Sequence, residues 1–494
     1  MQAGILRRLA AAATLAVWGG SASAQQAAPQ IPQPKIYALQ PSGGKAGTTL
    51  DVRISSGTDL DGADRLIFSH PGITAQAQKE DPSRIYPQGR TLEGKFKVTI
   101  AAGVPPGLYE VRAAGYFGVT NARRFAVGDR DEIAEKEPNN DAATAQEPPL
   151  GAVINGTCDV QGFDCFKVQA KKGQRYLAEC QALRLDSRAQ VVLTLIDPSG
   201  RELRRMAGTR TRDALLDFTA DQDGAYVIKA NDLLYRGGDE FFYRLTIGTG
   251  PWIDYVDPPV LKPGADNAVT VYGRNLPGGT PAEGIEIDGR PIEKLAVTIK
   301  APPTGELATE TLLRPGDASA ELVSWRLGGS NAVRLLLSEE TIVREKEPND
   351  SPDKAQAITA PAVVVGRFDV RGDRDWYVFE AKKGEKLWID VVSQRLGLPV
   401  DPQIVIQQAE ASKDLQEVDD LASPLPVMPN NVEKRYRAHS DDPALVFTAP
   451  ADGKYRIMVR DQFSSNQGDP RFFYAMTVRA PKPSFSLEIG RAHV

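Results

Sequence analysis

The sequence predicts an all-β protein built from tandem antiparallel β-sandwiches. Three observations carry that expectation. Short runs rich in β-branched and aromatic residues, such as VVLTLI (191–196), YVIKA (226–230) and YRLTIG (243–248), recur along the chain and partly alternate. Turn signals separate them: DPSG (197–200), DQDG (221–224) and PADG (450–453). The 44 glycines and 36 prolines suit turns and edge strands better than helix interiors, and no long helical period competes.

At 494 residues the chain is too long for one hydrophobic core, so several domains are expected. Its first residues read as a secretory signal. Arg7 and Arg8 supply the positive start, residues 9–18 the short apolar run, and ASA (22–24) a small-residue cleavage site. The run is too short to cross a bilayer comfortably, and no later run approaches spanning length. Cleavage after Ala24 would give a secreted, periplasmic or cell-surface protein without a membrane span, opening on a Gln/Pro/Ala linker at 25–34. Losing Arg7 and Arg8 from 59 basic residues leaves 57 against 64 acidic ones, a charge of −7. Such a chain, with no long Lys/Arg block, is a poor nucleic-acid binder, so no nucleic-acid partner is expected, and it suits divalent cations better.

The organisation of the rest is a two-fold repeat. EKEPNN (135–140) is followed by GTCDVQGFDCFKVQAKKGQ (156–174), DFTADQDGAYVIKAND (217–232) and GGDEFFYRLTIG (237–248). EKEPND (345–350) is followed by GRFDVRGDRDWYVFEAKKGE (366–385), VFTAPADGKYRIMVRD (446–461) and GDPRFFYAMTV (468–478). In the second copy WYVFEA (376–381) places Tyr377, Phe379 and Ala381 on one strand face. The segments before each acidic motif also resemble each other. PKIYALQ (34–40) pairs with PWIDYVD (251–257), and GVTNARRFAVGD (118–129) with GGSNAVRLLLSEE (328–340). The chain therefore reads A-B-A-B, with segments 35–128, 129–249, 250–339 and 340–481. The tail 482–494 ends in EIGRAHV, which reads as translated sequencing adapter, so truncation and a partly artefactual end are expected.

The ordered features of the B segments resemble the bacterial pre-peptidase C-terminal domain, a secreted β-sandwich found beside extracellular peptidases. The E-K-E-P-N-[ND] opening, the F-D or D-x-D step before an aromatic strand, the A-K-K-G-[QE] turn, D-G-x-Y and the closing F-F-Y carry the likeness, over about half the chain. The A segments resemble immunoglobulin-like TIG domains in strand pattern and in their TN and SN endings. The whole arrangement is similar to large exported proteins of planctomycete-type bacteria.

The acidic motif suits calcium, which takes carboxylate and amide oxygens in an irregular shell. In an extended strand, residues two apart project to one side, so Glu345, Glu347 and Asn349 would converge, with Asp350 adjacent. Pro348 favours an extended Glu347. Asp373 and Asp375, again two apart, would complete the site, with Asp369 nearby. The resemblance implies the same construction, since the related collagen-binding domain of clostridial collagenases joins an acidic linker to aspartates of an adjacent loop. The first copy offers Glu135, Glu137, Asn139, Asn140 and Asp164, fewer charges and so weaker binding is expected. The plainer alternative is a motif that only caps and turns the chain.

Other signals are slighter. RGD (371–373) lies inside the acidic loop and reads as a chance tripeptide, and NGT (155–157) is a glycosylation sequon. RRMAGTRTRD (204–213) reads as a solvated basic loop. Either Cys158 and Cys165 bridge a hairpin loop, leaving Cys180 free, or three thiols are buried separately; spacing does not choose. The three histidines, His70, His439 and His493, lie in no nucleophile or zinc motif, and no phosphate or dinucleotide loop occurs. The expectation is an exported, non-catalytic, calcium-stabilised binding, adhesion or accessory protein for an extracellular polysaccharide, protein matrix or cell-envelope component. The alternatives are the N-terminal accessory half of a larger secreted hydrolase, and a passive spacer.

Overall fold

A computed structural model describes residues 32–209, 212–303, 321–411, 413–420, 440–463 and 469–483. The expected leader, most of the linker, His439, His493 and most of the tail lie outside these residues. The regular secondary structure is almost entirely strand, as the alternation and turn chemistry require.

In the first A segment, the sheet Lys35–Gln40, Thr49–Thr58, Thr91–Ile100, Ile73–Lys79 faces the sheet Gly43–Lys45, Arg123–Gly128, Gly107–Gly115, Arg65–Phe68. Inward-facing residues of both, among them Val52, Phe96, Val111 and Phe125, form one core. The TN and SN endings of the A segments have a structural job. Asn121 accepts from the Ile36 N–H at 2.9 Å and donates back to its carbonyl at 3.0 Å; Asn331 does the same for Ile253 at 2.7 and 2.9 Å. A buried strand opening is thereby satisfied by a side chain where no neighbouring strand reaches.

The two B segments share a strand order. In the first, Glu132–Ala134, Val153–Thr157, Phe242–Gly248, Arg175–Gln181 and Ala214–Thr219 form one sheet; Asp164–Ala170, Gly224–Asp232, Val191–Ile196 and Glu202–Ala207 form the other. In the second, Thr341–Arg344, Ala362–Arg367, Phe473–Arg479, Lys386–Val392 and Ala444–Thr448 face Gln356–Ala357, Arg374–Ala381, Gly453–Asp461, Pro402–Gln408 and Asp414–Val418. Most neighbours are antiparallel. Short strands are the exception: Glu132–Ala134 lies parallel to Val153–Thr157, Thr341–Arg344 to Ala362–Arg367, and Gln356–Ala357 to Arg374–Ala381. Tyr377, Phe379 and Ala381 enter the core together, while Trp376 turns outward into a separate cluster with Val405 and Met458.

The start of the basic stretch, at 204–207, is not a solvated loop. Glu202–Ala207 is a strand, and Arg204 donates to the Asp288 carbonyl of the second A segment. Arg274, fully buried, sits beside it and reaches Asp217 at 3.1 Å, Asp254 at 3.0 Å and Asp288 at 3.2 Å. Arg471 of the second B segment meets Asp288 at 3.3 Å. Three segments are thus tied through Asp288. A buried ion set of this kind adds little net energy over an apolar one, but removing one partner strands the others.

The three cysteines are free and buried, so the bridge between Cys158 and Cys165 is absent. Burial pushes all three thiols up, Cys165 to about 11, which keeps them protonated and unreactive. His70 packs against Tyr109 at 5.3 Å and accepts from the Gly72 N–H, a structural role.

Candidate cation clusters at the openings of the B segments

Each acidic motif runs off the end of its short opening strand and crosses to the opposite sheet. Glu135 N–H donates to the Asn155 carbonyl on the first sheet, and the Asn139 carbonyl accepts from Cys165 on the second. Glu345 with Val365, and Asn349 with Trp376, repeat the pattern. The strand reading of the motif is corrected here. Residues 135–140 and 345–350 lie outside the strands, and the peptides Glu137–Pro138 and Glu347–Pro348 are cis. Convergence comes from hydrogen bonds that curl the segment. Asn349 N–H donates to Glu347 Oε2 at 2.9 Å while its Nδ2 donates to Glu345 Oε1 at 2.9 Å; Asn139 repeats both to Glu137 and Glu135 at 3.0 Å.

The loop before the aromatic strand delivers the remaining acids. Carboxylate oxygens of Glu345, Glu347 and Asp375 lie within 4.8 Å of one another, as do those of Glu347, Asp350 and Asp373. In the first copy Glu135, Glu137 and Asp164 form one such group. Asn140 stays outside it, donating to Asp159 at 2.8 Å, and Asp369 lies on the surface near Arg367. The RGD tripeptide is absorbed into the same loop: Asp373 is buried, and accepts from the backbone of Asp369, Val370 and Arg374.

Tyrosines that composition alone assigns to the core position the second cluster. Tyr474 donates to Asp375 Oδ2 at 2.6 Å, Tyr377 lies 2.8 Å from Tyr474, and Tyr377 donates to Glu345 at 2.8 Å. The first copy has Phe166 where the second has Tyr377. Tyr243 therefore gives its hydroxyl to Glu135 at 2.7 Å, and neither oxygen of Asp164 has a partner. The only sequence signal for this scaffold was the tyrosine that closes each F-F-Y. Gly156 and Gly366 let these rings in: an added Cβ at Gly366 would stand 2.5 Å from the Tyr474 hydroxyl, and one at Gly156 2.6 Å from that of Tyr243.

The electrostatics follow from burial. Asp164 and Asp375 are fully buried, and neither forms an ion pair among the described residues; the nearby Arg244 and Arg367 turn to Glu132 and Asp369. Burial first, and then the charge of Glu135, push Asp164 up to about 9; burial and Glu345 hold Asp375 well above the carboxylate range. Burial and the hydrogen bond with Asp350 raise Asp373 to about 6, and burial raises Glu135 and Glu345. Asn139 Oδ1, Asn349 Oδ1, both oxygens of Asp164 and Asp375 Oδ1 are buried without a hydrogen-bond partner. Orphaned acceptors cost about 1–3 kcal/mol each, more when charged. Oxygen acceptors only, converging and unpartnered, fit a hard cation such as calcium, with no nitrogen or sulfur donor in the group for a softer one.

No family model matches this chain, and no curated protein matches it. Among solved structures it is similar to the pre-peptidase C-terminal domain of a collagenase from Bacillus anthracis, at 15% identity over 27% of this chain and 99% of that one, TM-score 0.18. It is also similar to a periplasmic inhibitor of g-type lysozyme from Aeromonas hydrophila, at 14% identity over 24% of this chain and 95% of that one, TM-score 0.17. A third is the M60 catalytic domain with two CBM51 domains from Clostridium perfringens ZmpB, at 9% identity over 91% of this chain and 46% of that one, TM-score 0.16. Likenesses this slight decide neither fold nor role. No helix among the described residues is long and apolar enough to cross a membrane.

Proposed function

We propose that the chain is an exported, non-catalytic accessory protein of four modules in A-B-A-B order, whose two B modules are pre-peptidase C-terminal-like and are stiffened by calcium. One observation carries the metal reading: the buried, partnerless oxygens of Asp164 and Asp375 within converging carboxylates, together with those of Asn139 and Asn349 on the same acidic motifs. Glu345, Glu347, Asn349 and Asp375 would hold an ion in the second copy, with Asp350 and Asp373 extending the group; Glu135, Glu137, Asn139 and Asp164 would hold one in the first. A bound cation supplies positive charge to oxygens that otherwise repel one another. The residues do the rest: the curled motif joins the edge of one sheet to the start of the other, so filling the cluster fixes the opening of the module.

Calcium at a hundred times its dissociation constant would add about 2.7 kcal/mol to stability. Scanning calorimetry of the full chain should show a rise in Tm on adding calcium that a chelator reverses. The rise should shrink in a Glu347→Gln/Asp375→Asn variant. An unchanged Tm, with the variant behaving like the parent, would rule out the metal role.

A further inference from the structure

The two A–B junctions are filled differently. In the second half, Tyr255 stacks on Tyr272 with ring centroids 4.5 Å apart and meets Phe473 at 5.7 Å, and the Arg367 guanidinium lies over the Tyr255 ring. At the matching position the first half has Ala38, facing Ser56 across the ladder, with Phe242 in place of Phe473 and Thr157 in place of Arg367. Ala38 itself packs against Ala126, Leu185 and Phe242, and a cleft of about 1110 Å³ opens beside this junction, lined by Leu39, Gln40 and Arg53 on one wall. On its A-segment wall Arg53 and Lys95 are register partners; the same ladder position of the second half pairs Thr270 with Ala296. Lys95 is exposed and has no ion-pair partner among the described residues, and Arg53 touches Gln40 at 2.5 Å and Asp239 at 3.5 Å. The facing wall carries Glu135 and Glu137 of the first acidic cluster, and Asn155, whose Oδ1 is buried without a partner.

We propose that this cleft binds an acidic oligosaccharide, its carboxylates held between the Arg53–Lys95 pair and a cation in the first cluster. The inference rests on reading that cluster as a calcium site. Calcium takes about six to eight oxygens, and three carboxylates with one amide leave positions that a ligand carboxylate or hydroxyl can fill. An arginine beside a lysine, on a wall where the fold tolerates threonine and alanine, suits a carboxylate by charge and by the guanidinium fork. The other charged groups of the cleft are already partnered: Asp131 with Lys45 at 2.6 Å, Glu132 with Arg244, and Asp51 with the Gln78 amide at 2.7 Å. That leaves hydroxyls and amides such as Ser42, Thr48, Thr49 and Gln40 for the ring hydroxyls of a sugar. Phe242 and Tyr243 are buried, so these two rings offer no platform for stacking a neutral sugar.

The test is isothermal titration of the calcium-loaded full chain with tetragalacturonate, with an uncharged glucose tetrasaccharide, and with a tetraglutamate peptide. Tetragalacturonate should bind, and bind at least tenfold more weakly to Arg53→Thr/Lys95→Ala, which copies the residues of the second half. Calcium binding at the first cluster should be unchanged in that variant, and circular dichroism should report the same fold. Glu137→Gln should weaken both calcium and tetragalacturonate. If calcium binds at the first cluster but tetragalacturonate does not, or binds the double variant as well as the parent, the cleft proposal falls alone. Tighter binding of tetraglutamate than of the uronate also overturns it. If no Glu137-dependent calcium binding occurs, the reading beneath it falls too.

Discussion

The two acidic clusters are built from nearly the same six letters, yet they are not the same site. The second gathers five carboxylates in two overlapping groups and ties the buried Asp375 to Tyr474 and, through Tyr377, to Glu345. The first gathers three, and because Phe166 stands where Tyr377 does, the one hydroxyl near both acids, that of Tyr243, goes to Glu135 and not to Asp164. The difference teaches that the motif supplies curvature and two acids, whereas the strand behind it decides how firmly the third is held.

The largest way to sharpen this comparison is pH. A carboxyl whose folded-state value lies above its unfolded value of about 3.9 keeps a proton that the unfolded chain has lost. Calcium-free protein should therefore lose stability as pH rises from about 4 through the Asp164 value of about 9, with Asp375 acting in the same direction. Calcium, which favours the ionised form, should raise Tm by more at pH 8 than at pH 5. A calcium-induced shift that is flat with pH would break the link between these buried acids and the ion.

Next in size is the tyrosine. Tyr377→Phe removes a hydroxyl bonded to both Glu345 and Tyr474, and should cost about 1–2 kcal/mol in chemical denaturation, with weaker calcium binding at the second cluster. Phe166→Tyr should shift the first cluster toward the second, tightening its calcium several-fold by calorimetry. If both substitutions leave calcium affinity unchanged, the hydroxyl relay is packing and no more. The smallest change is Asn140→Asp, which gives the first motif the acid of the second. It should tighten calcium by a few-fold at low salt and less at high salt, because the position is exposed. Equal gains at both salt concentrations would point to a contact other than charge.

The site was partly legible. Glu345, Glu347 and Asn349 were recognisable from residue type and spacing, although the geometry that brings them together is a hydrogen-bonded curl and not strand alternation. Asp375 was recognisable from its two-residue spacing to Asp373, and Asp164 as its match in the first copy. Asn140 and Asp369 were credited to the clusters by nearness in sequence, and the fold turns both toward the surface. Tyr377, Tyr474 and Tyr243 are legible as strand and F-F-Y residues but not as parts of the site, since a tyrosine in a β-strand pattern is ordinarily core and nothing local tells which hydroxyl meets a carboxylate. Arg204 read as solvated because its partner, Asp288, is 84 residues away.

The sequence by itself determined that this is a β protein with two similar pairs of segments, each second segment opening on an acidic turn. Alternation, turn residues and proline placement act over a few residues, so they are written locally. Only the tertiary structure decided the partnerless oxygens, the buried Arg274 that ties one segment to the next, and the cleft that lies beside the first A–B junction. Those depend on which strands meet, and a buried charge or an unfilled volume acquires its energy only from neighbours that the chain brings in from far away.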